Sequence, residues 1–446
     1  MGIGAYILIA GTSADEDRSR MLERAGYRCA VAPAGAALAE TIAKENPNVA
    51  LVGAADANGV AVIRALKSNP KSRHIPVAAV DVRHAANALR ACSEAGADDV
   101  FEFDAADTEV LARLVALLRL SGMEAEMVRR AETAGDFGIS VNTEVQISLP
   151  DEGFRLLVVG IGQDAFEAMC PLLSTAGISH IAEPDPYRAR SRLEEAHGEE
   201  FAGALVYVES GEAEEKCAFF CRSVRNDRRL FDLPLFVVAE EGAFRDATDA
   251  YAQGASVLVH MPIDCDVVDV HLRMLYRGRA LRRALGKRIA GALSPKSADS
   301  LGSVYSAEFI RAHLQRLDRD TAETGRRSVA ILFFVPTIGE VAALYGDESA
   351  ARLRQQMADW LSGLVRIEDI VGRTGPDEFL MLLPETSQGD ADRVRRRVIG
   401  VLHQSEFRLT DNVPVGVEVY IQSALTALEP GDTLDGLLKR ASAALA

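Results

Sequence analysis

An arginine and an aspartate three residues apart, Arg366 and Asp369, are followed after five residues by Gly-Pro-Asp-Glu-Phe at 375–379. An arginine donates hydrogen bonds and a carboxylate accepts them, so the pair can hold a polar ligand. The same pair can also be a surface ion pair. The adjacent acids Asp377 and Glu378 are oxygen ligands of the kind that Mg²⁺ prefers. They can equally be part of a plain β-hairpin turn.

The length of 446 residues predicts about three domains. In the first 121 residues, short apolar strands alternate with amphipathic helices, a pattern typical of a parallel sheet covered on both faces. Residues 153–285 repeat this pattern. The last part combines helices with strands over 328–335, 379–384 and 417–425, which favours an α+β sheet with antiparallel pairing. We therefore expect two α/β domains at 1–121 and 153–285, a linker at 122–152, and a third domain at 286–446.

The charge balance limits the possible partners. The chain has 49 basic and 65 acidic residues, a net charge of −16, so a general binder of nucleic acid or anionic membranes is not expected. No apolar run approaches the roughly 18–20 residues of a membrane helix, so no membrane insertion is expected. The six scattered cysteines form no metal-ligand pattern and favour free thiols in the cytoplasm.

The two N-terminal units resemble response-regulator receiver domains, with local signatures such as GADD at 96–99 and MPID at 261–264. The resemblance implies a doubly wound, flavodoxin-like fold in which acidic residues hold Mg²⁺ and an aspartate accepts a phosphoryl group. Most matching positions carry residues that cannot perform these roles, so both units are interpreted as pseudo-receivers. In the first unit these positions are Gly11, Thr12, Gly53, Asp81 and Phe103, and in the second they are Gly160, Ile161, Glu209, Glu240 and Met261.

The C-terminal unit resembles the GGDEF family of diguanylate cyclases over about residues 299–440, with GPDEF in place of GGDEF. Two receiver-like units before such a domain is the PleD-like architecture. The predicted fold class is therefore α/β, with two flavodoxin-like domains followed by an α/β domain of the nucleotidyl-cyclase type. Cyclase activity needs carboxylates for metal and side chains that read guanine. The family's metal and guanine positions fall at Phe334, Pro336, Ala342 and Ala351.

The signature Gly375, Pro376, Asp377 and Glu378 is accordingly interpreted as a degenerate remnant, with no catalytic residue and no metal expected. A proline ring at position 376 fixes φ and fills space where the family has glycine.

The family binds its product, cyclic di-GMP, at an RxxD motif five residues before the signature, and Arg366 and Asp369 match this register. An arginine can donate to O6 and N7 of guanine, and a carboxylate can accept from its N1 and N2 groups. Counting from the signature helix, a second family arginine falls at Arg397, which can also be part of a solvated basic face. The third falls at Asp320, with Arg319 beside it as a possible contact.

The hypothesis is a catalytically inactive effector that binds cyclic di-GMP and forms a homodimer. The resemblance to inactive effectors of this kind implies a cytoplasmic adaptor that moves to a cell pole. There it would present substrates to the ClpXP protease together with the adaptor RcdA. Three alternatives stay open, namely a residual diguanylate cyclase that uses Asp377 and Glu378, a dimeric scaffold that binds no ligand, and a phosphorelay receiver.

Overall fold

The computed structural model of the chain describes residues 5–12, 15–33, 38–145, 147, 153–160, 163–196, 200–208, 212–227, 229–239, 247–409 and 416–445. The chain divides into two compact units. Most of one unit consists of Tyr6–Ser121 and Gln146–Arg283, and most of the other consists of Gly122–Val145 and Ala284–Ala446. The first unit contains two parallel sheets, and the second contains one antiparallel sheet.

The first parallel sheet lies at the start of the chain. Its elements are β1 (Tyr6–Ala10), α1 (Asp15–Arg24), β2 (Arg28–Ala32), α2 (Leu38–Glu45), β3 (Val49–Gly53), α3 (Ala57–Ser68), β4 (Val77–Val82), α4 (Ala86–Ala95), β5 (Asp99–Glu102) and α5 (Asp107–Asp136). The strand order is β2-β1-β3-β4-β5, which is that of flavodoxin-like folds. Strand β4 is buried along its whole length, as expected where helices cover both faces. The five predicted strand–helix units are confirmed.

The second parallel sheet repeats this topology. Its elements are β6 (Arg155–Val159), α6 (Gln163–Thr175), β7 (Ser179–Glu183), α7 (Pro186–Glu195), β8 (Gly203–Val208), α8 (Glu212–Asn226), β9 (Leu235–Ala239), α9 (Ala247–Ala252), β10 (Val257–His260) and α10 (Cys265–Ala290). The order is β7-β6-β8-β9-β10. Strand β7 was not identified from the sequence because this edge strand has no apolar run and none of its residues is fully buried.

Helix α10 contributes to the cores of both receiver-like domains. Val267, Val270 and Met274 pack into the core of the first sheet. Val268 and Leu272, on another face of the same helix, pack into the core of the second sheet. The two domains therefore share one helix within their unit.

The C-terminal sheet is antiparallel. Its elements are α11 (Ala307–Thr324), β11 (Val329–Phe334), α12 (Pro336–Tyr345), α13 (Asp347–Gly363), β12 (Ile370–Arg373), β13 (Glu378–Leu383), α14 (Gln388–His403), β14 (Gln422–Ala427) and α15 (Leu434–Ala443). The order is β12-β13-β11-β14. Strand β11 is buried on both faces. Val329, Ile331 and Phe333 point into one core, and Ala330 and Leu332 point into the other, as the two-residue period of a strand requires.

The first part of the predicted linker at 122–152 is helical, because α5 continues without a break to Asp136. The side chains that this segment buries include Glu126, Arg129 and Arg130, which a hydrophobicity pattern counts as exposed. The expected boundary between 285 and 286 also falls inside a continuous helix, α10. Neither helix end therefore coincides with the predicted domain limits.

The strand predicted over 417–425 begins only at Gln422. Before that point Val417 forms a single bridge with Phe407. The backbone N–H of Tyr420 donates to Oγ1 of Thr337 at 2.9 Å instead of to a neighbouring strand. Apolar residues at 417–421 therefore pack against the core without joining the sheet.

Candidate ligand-binding site

Backbone atoms close the phosphoryl-acceptor position of the first receiver-like domain. A Cβ atom on Gly53 would lie 1.9 Å from the carbonyl oxygen of Gly11 and 3.0 Å from the amide nitrogen of Thr12. The ends of β1 and β3 thus approach each other more closely than any side chain allows, and glycine is the one residue that fits.

Asp81, at the position of the family's Ser or Thr, is buried near the end of β4. Its carboxylate accepts a hydrogen bond from Arg18 of α1 at 3.0 Å. Its φ of 61° lies in the left-handed region, which non-glycine residues rarely adopt. Phe103, at the family's lysine position, is exposed. An arginine–aspartate pair therefore stands where receivers contact a phosphoryl group.

The second receiver-like domain is described only in part. Ile161, Glu209 and Glu240 lie outside the described residues, so the interpretation of this unit as a pseudo-receiver stays a prediction. A Cβ on Gly160 would lie 2.9 Å from Cβ of Tyr207. Met261 is exposed at the end of the last strand.

The GPDEF signature forms the turn between β12 and β13, which pair as an antiparallel hairpin, as predicted. The backbone N–H of Thr374 donates to the carbonyl oxygen of Glu378 at 3.1 Å and closes the turn. Phe334 of β11 is the cross-strand neighbour of Glu378. The family's metal-carboxylate position therefore carries a phenyl ring directly beside the signature.

Backbone contacts also join the signature to the start of α12. The N–H of Val335 donates to the carbonyl oxygen of Asp377 at 2.9 Å. Pro336 follows as the first residue of α12. Ala342 packs against the core, and Ala351 is exposed on α13. Neither methyl group can form hydrogen bonds with a guanine base.

Arg354 of α13 donates a hydrogen bond to the backbone of the signature turn. Its Nε donates to the carbonyl oxygen of Pro376 at 2.7 Å, and its guanidinium lies 3.7 Å from Oδ1 of Asp377. Among the described residues, no three His, Cys, Asp or Glu side chains are grouped so that they could hold a metal ion. Of the two acids in the signature, Asp377 thus lies close to a guanidinium, and Glu378 lies beside Phe334.

The RxxD motif forms a closed turn between α13 and β12. The backbone N–H of Arg366 donates to Oδ2 of Asp369 at 2.9 Å, and the N–H of Asp369 donates to the carbonyl oxygen of Arg366 at 3.1 Å. Arg366 is half-buried, and Asp369 is buried. Burial, and then the neighbouring Glu368 carboxylate, raises the pKa of Asp369 to about 7.

The structure brings Arg397 to the same region. Its guanidinium, exposed on α14, donates to the carbonyl oxygen of Leu364 at 2.9 Å, two residues before Arg366. Arg319 is exposed on α11, and it forms no hydrogen bond or ion pair within the described part of the chain. Its neighbour Asp320 pairs with Arg129 at 2.9 Å. Arg397 therefore lies beside the RxxD turn, whereas no contact joins Arg319 to it.

Sequence reasoning missed the charged side chains under this turn. Glu126 is fully buried, and it accepts hydrogen bonds from Arg129 at 3.1 Å and Arg130 at 2.7 Å. Burial alone raises the pKa of Glu126, but His313 and both arginines outweigh it and hold that pKa well below its usual range. An acid followed by arginines three and four residues later is the one signal for this cluster, and exposed helices commonly show the same spacing.

Comparisons with known proteins agree with this architecture. Residues 296–446 match the family described as diguanylate cyclase, GGDEF domain. The chain is also 23% identical over 390 residues to the response regulator PleD of Caulobacter vibrioides. The aligned residues cover 86% of this chain and 83% of that protein. It thus has a PleD-like arrangement, in which two flavodoxin-like domains precede a GGDEF domain.

Further similarities are confined to about a third of the chain. Over 149 residues the chain is 33% identical to the diguanylate cyclase TpbB of Pseudomonas aeruginosa. The aligned residues cover 33% of this chain and 34% of that protein. The crystal structure of the DgcB GGDEF domain from Caulobacter crescentus, in complex with c-di-GMP, is 14% identical. It has a TM-score of 0.32 and covers 34% of this chain and 86% of that chain.

No helix in the described ranges is both long enough and apolar enough to cross a membrane.

Proposed function

We propose that this protein is a catalytically inactive effector that binds cyclic di-GMP at the RxxD turn. The observation that carries the proposal is the arrangement around residues 364–369. Arg366 begins a closed turn, Asp369 closes it, and Arg397 reaches the backbone two residues earlier. Two guanidinium groups thus lie close to one short segment that also carries a carboxylate.

This arrangement suits a guanine dinucleotide. A guanidinium donates to O6 and N7 on the Hoogsteen edge of guanine, and cationic groups attract phosphates. Oδ2 of Asp369 accepts the N–H of Arg366 and holds the turn, and Oδ1 is the second acceptor of the same carboxylate. Oδ1 is therefore the atom we assign to the N1 and N2 donors of guanine. Arg319 is at most a peripheral contact.

The loss of cyclase activity is supported by the surroundings of the signature. Phe334 stands beside Glu378 at the family's metal-carboxylate position, and Arg354 pairs with Asp377, where its positive charge disfavours a bound cation. The proposed domain limits are those that the sequence predicts, although α5 and α10 continue across two of them. We assign pseudo-receivers to 1–121 and 153–285 and the degenerate GGDEF domain to 286–446.

The cellular role is proposed by resemblance alone. The combination of pseudo-receivers, a degenerate signature and an intact RxxD resembles PopA, a cell-cycle effector. We therefore propose a cytoplasmic homodimer that moves to a cell pole with its ligand. Its protein partners would be of the RcdA and ClpXP type.

Two matched arginines on α14 test the ligand site. Arg397→Ala removes the guanidinium beside the RxxD turn, whereas Arg393→Ala removes an exposed guanidinium of the same helix that pairs with Asp390. We expect Arg397→Ala to weaken binding of cyclic di-GMP, because a lost charged contact amounts to about 1.5–3 kcal/mol. Arg393→Ala should bind as the wild type does. Equal effects of the two changes would contradict the assigned site.

Incubation of the wild-type protein with GTP and Mg²⁺ tests the second part of the proposal. No cyclic di-GMP should form. Product formation would favour the residual cyclase instead.

A further inference from the structure

One side chain from the second half of α5, that of Arg130, contacts the backbone of the RxxD turn. The guanidinium of Arg130 donates to three successive carbonyl oxygens, those of Ile367 at 3.2 Å, Glu368 at 3.1 Å and Asp369 at 3.2 Å. The side chain is buried, so these bonds form away from water, where they are strongest. The turn that carries Arg366 is thus held from below by a helix more than 230 residues earlier in the chain.

Arg130 is itself fixed in place. Its Nε donates to Glu126 at 2.7 Å, and its Cζ lies 5.6 Å from the centre of the Tyr305 ring. Glu126 also accepts a hydrogen bond from Arg129, and the guanidinium of Arg129 donates a second hydrogen bond to Asp320. A buried, paired guanidinium of this kind has little freedom to change its hydrogen bonds unless the helix itself moves.

We propose that Arg130 is a positioning residue for the cyclic di-GMP site and that Gly122–Asp136 is an integral part of that site. This inference rests on the proposed function. Three fixed carbonyls set the orientation of the peptide planes at 367–369, and these orient the carboxylate of Asp369. A site held ready in this way binds its ligand more tightly, because less order is lost on binding.

Coupling between ligand binding and the docking of Gly122–Asp136 acts in both directions. If docking of Gly122–Asp136 strengthens ligand binding, then bound ligand strengthens docking by the same factor. The ligand should therefore slow hydrogen exchange in that helical segment, although the ligand is not expected to touch it. A ligand signal would in this way enter a helix that continues directly into the first receiver-like domain.

The test compares two arginines that both hold this segment of α5. Arg130→Ala removes the bonds to the turn. Arg316→Ala removes bonds from α11 to Glu132 at 3.3 Å and Asp136 at 2.8 Å, and neither of these residues belongs to the turn. Calorimetric titration with cyclic di-GMP should give a dissociation constant raised on the order of 10-fold to 100-fold in Arg130→Ala, within the usual range of coupling. Arg316→Ala should change that constant much less, because it leaves the three bonds from Arg130 to the turn in place.

Hydrogen exchange supplies a readout that a purely structural role would not change. Added cyclic di-GMP should slow exchange at 122–136 in the wild type and in Arg316→Ala, and it should leave Arg130→Ala unchanged. If Arg130→Ala does not fold, Arg130→Lys keeps the charge beside Glu126 but cannot reach three carbonyls, and it should still bind more weakly. Wild-type affinity in a folded Arg130 variant would overturn this inference, whereas a wild-type protein that binds no ligand would overturn the proposed function.

Discussion

Replacing Gly53 with alanine tests whether the first receiver-like domain has lost its phosphoryl-acceptor position. The added Cβ would lie 1.9 Å from the carbonyl oxygen and 2.5 Å from the carbonyl carbon of Gly11, and both are backbone atoms of the residue that follows the paired strand β1. The overlap between the added Cβ and Gly11 can therefore be relieved only if the ends of β1 and β3 separate. Overpacking of this kind costs about 1–3 kcal/mol, and contact with backbone favours the upper end.

A matched control uses the same chemical change elsewhere. Gly122 lies within α5, and a Cβ on it would meet nothing within 4 Å. Gly122→Ala should therefore stabilise the protein by about 0.5–1 kcal/mol, because alanine loses less conformational freedom in a helix than glycine does.

Thermal unfolding of the full chain measures both changes. At about 2–4 °C for each kcal/mol, Gly53→Ala should lower the melting temperature of the N-terminal unit, and Gly122→Ala should not lower any transition. Gly53→Asp should not become labelled by acetyl phosphate, because Gly11 and Thr12 supply no metal carboxylate. A Gly53→Ala protein as stable as the wild type, or a labelled Gly53→Asp protein, would refute the reasoning.

Four further predictions concern the C-terminal domain. The pKa of Asp369, raised to about 7 from an unfolded value near about 3.9, means that the folded state prefers the protonated acid. The stability that this preference provides is present below about pH 4 and is lost as the pH rises through about 7, at no more than about 1.4 kcal/mol per pH unit. The free energy of unfolding of Asp369→Asn, measured with urea, should therefore decline less with rising pH than that of the wild type. An identical pH dependence of the two proteins would count against this prediction. Binding of cyclic di-GMP should tighten as the pH rises through about 7, because the ionised carboxylate is the better acceptor, and an affinity independent of pH would argue against a contact with Asp369. Arg354→Ala should destabilise the protein by about 1 kcal/mol and speed hydrogen exchange at 374–377, and unchanged exchange there would show that the turn does not depend on this arginine. Phe334→Asp should form no product from GTP with Mg²⁺, because a single restored carboxylate leaves the guanine positions without donors or acceptors, and turnover would contradict that view.

The sequence predicted the central strands of the parallel sheets because nearly all of their residues are apolar. Strands β4, β8 and β9 are buried at every position, so their sequences are unambiguous. Edge strand β7 was missed because it alternates between exposed and half-buried residues. The strand at 417–425 was placed too early because apolar residues that pack against a core need not join a sheet.

The candidate site was predictable where it depends on local spacing. The register of Arg366, Asp369 and the signature turn follows from the sequence, and the structure brings Arg397 to the same segment. Arg130 could not be found in this way, because its contacts at 367–369 join residues more than 230 positions apart. Buried charge pairs have no signature in a hydrophobicity pattern, so the helix that carries them was interpreted as a linker.

Calorimetric titration of the wild-type protein with cyclic di-GMP, in parallel with Arg366→Ala, tests the central claim most directly. We expect wild-type binding in the micromolar range or tighter, which corresponds to about −8 kcal/mol or a more favourable value. The Arg366→Ala protein should remain folded and give no binding heat. The absence of heat with both proteins, or equal binding by both, would contradict the assignment of this turn as the ligand site.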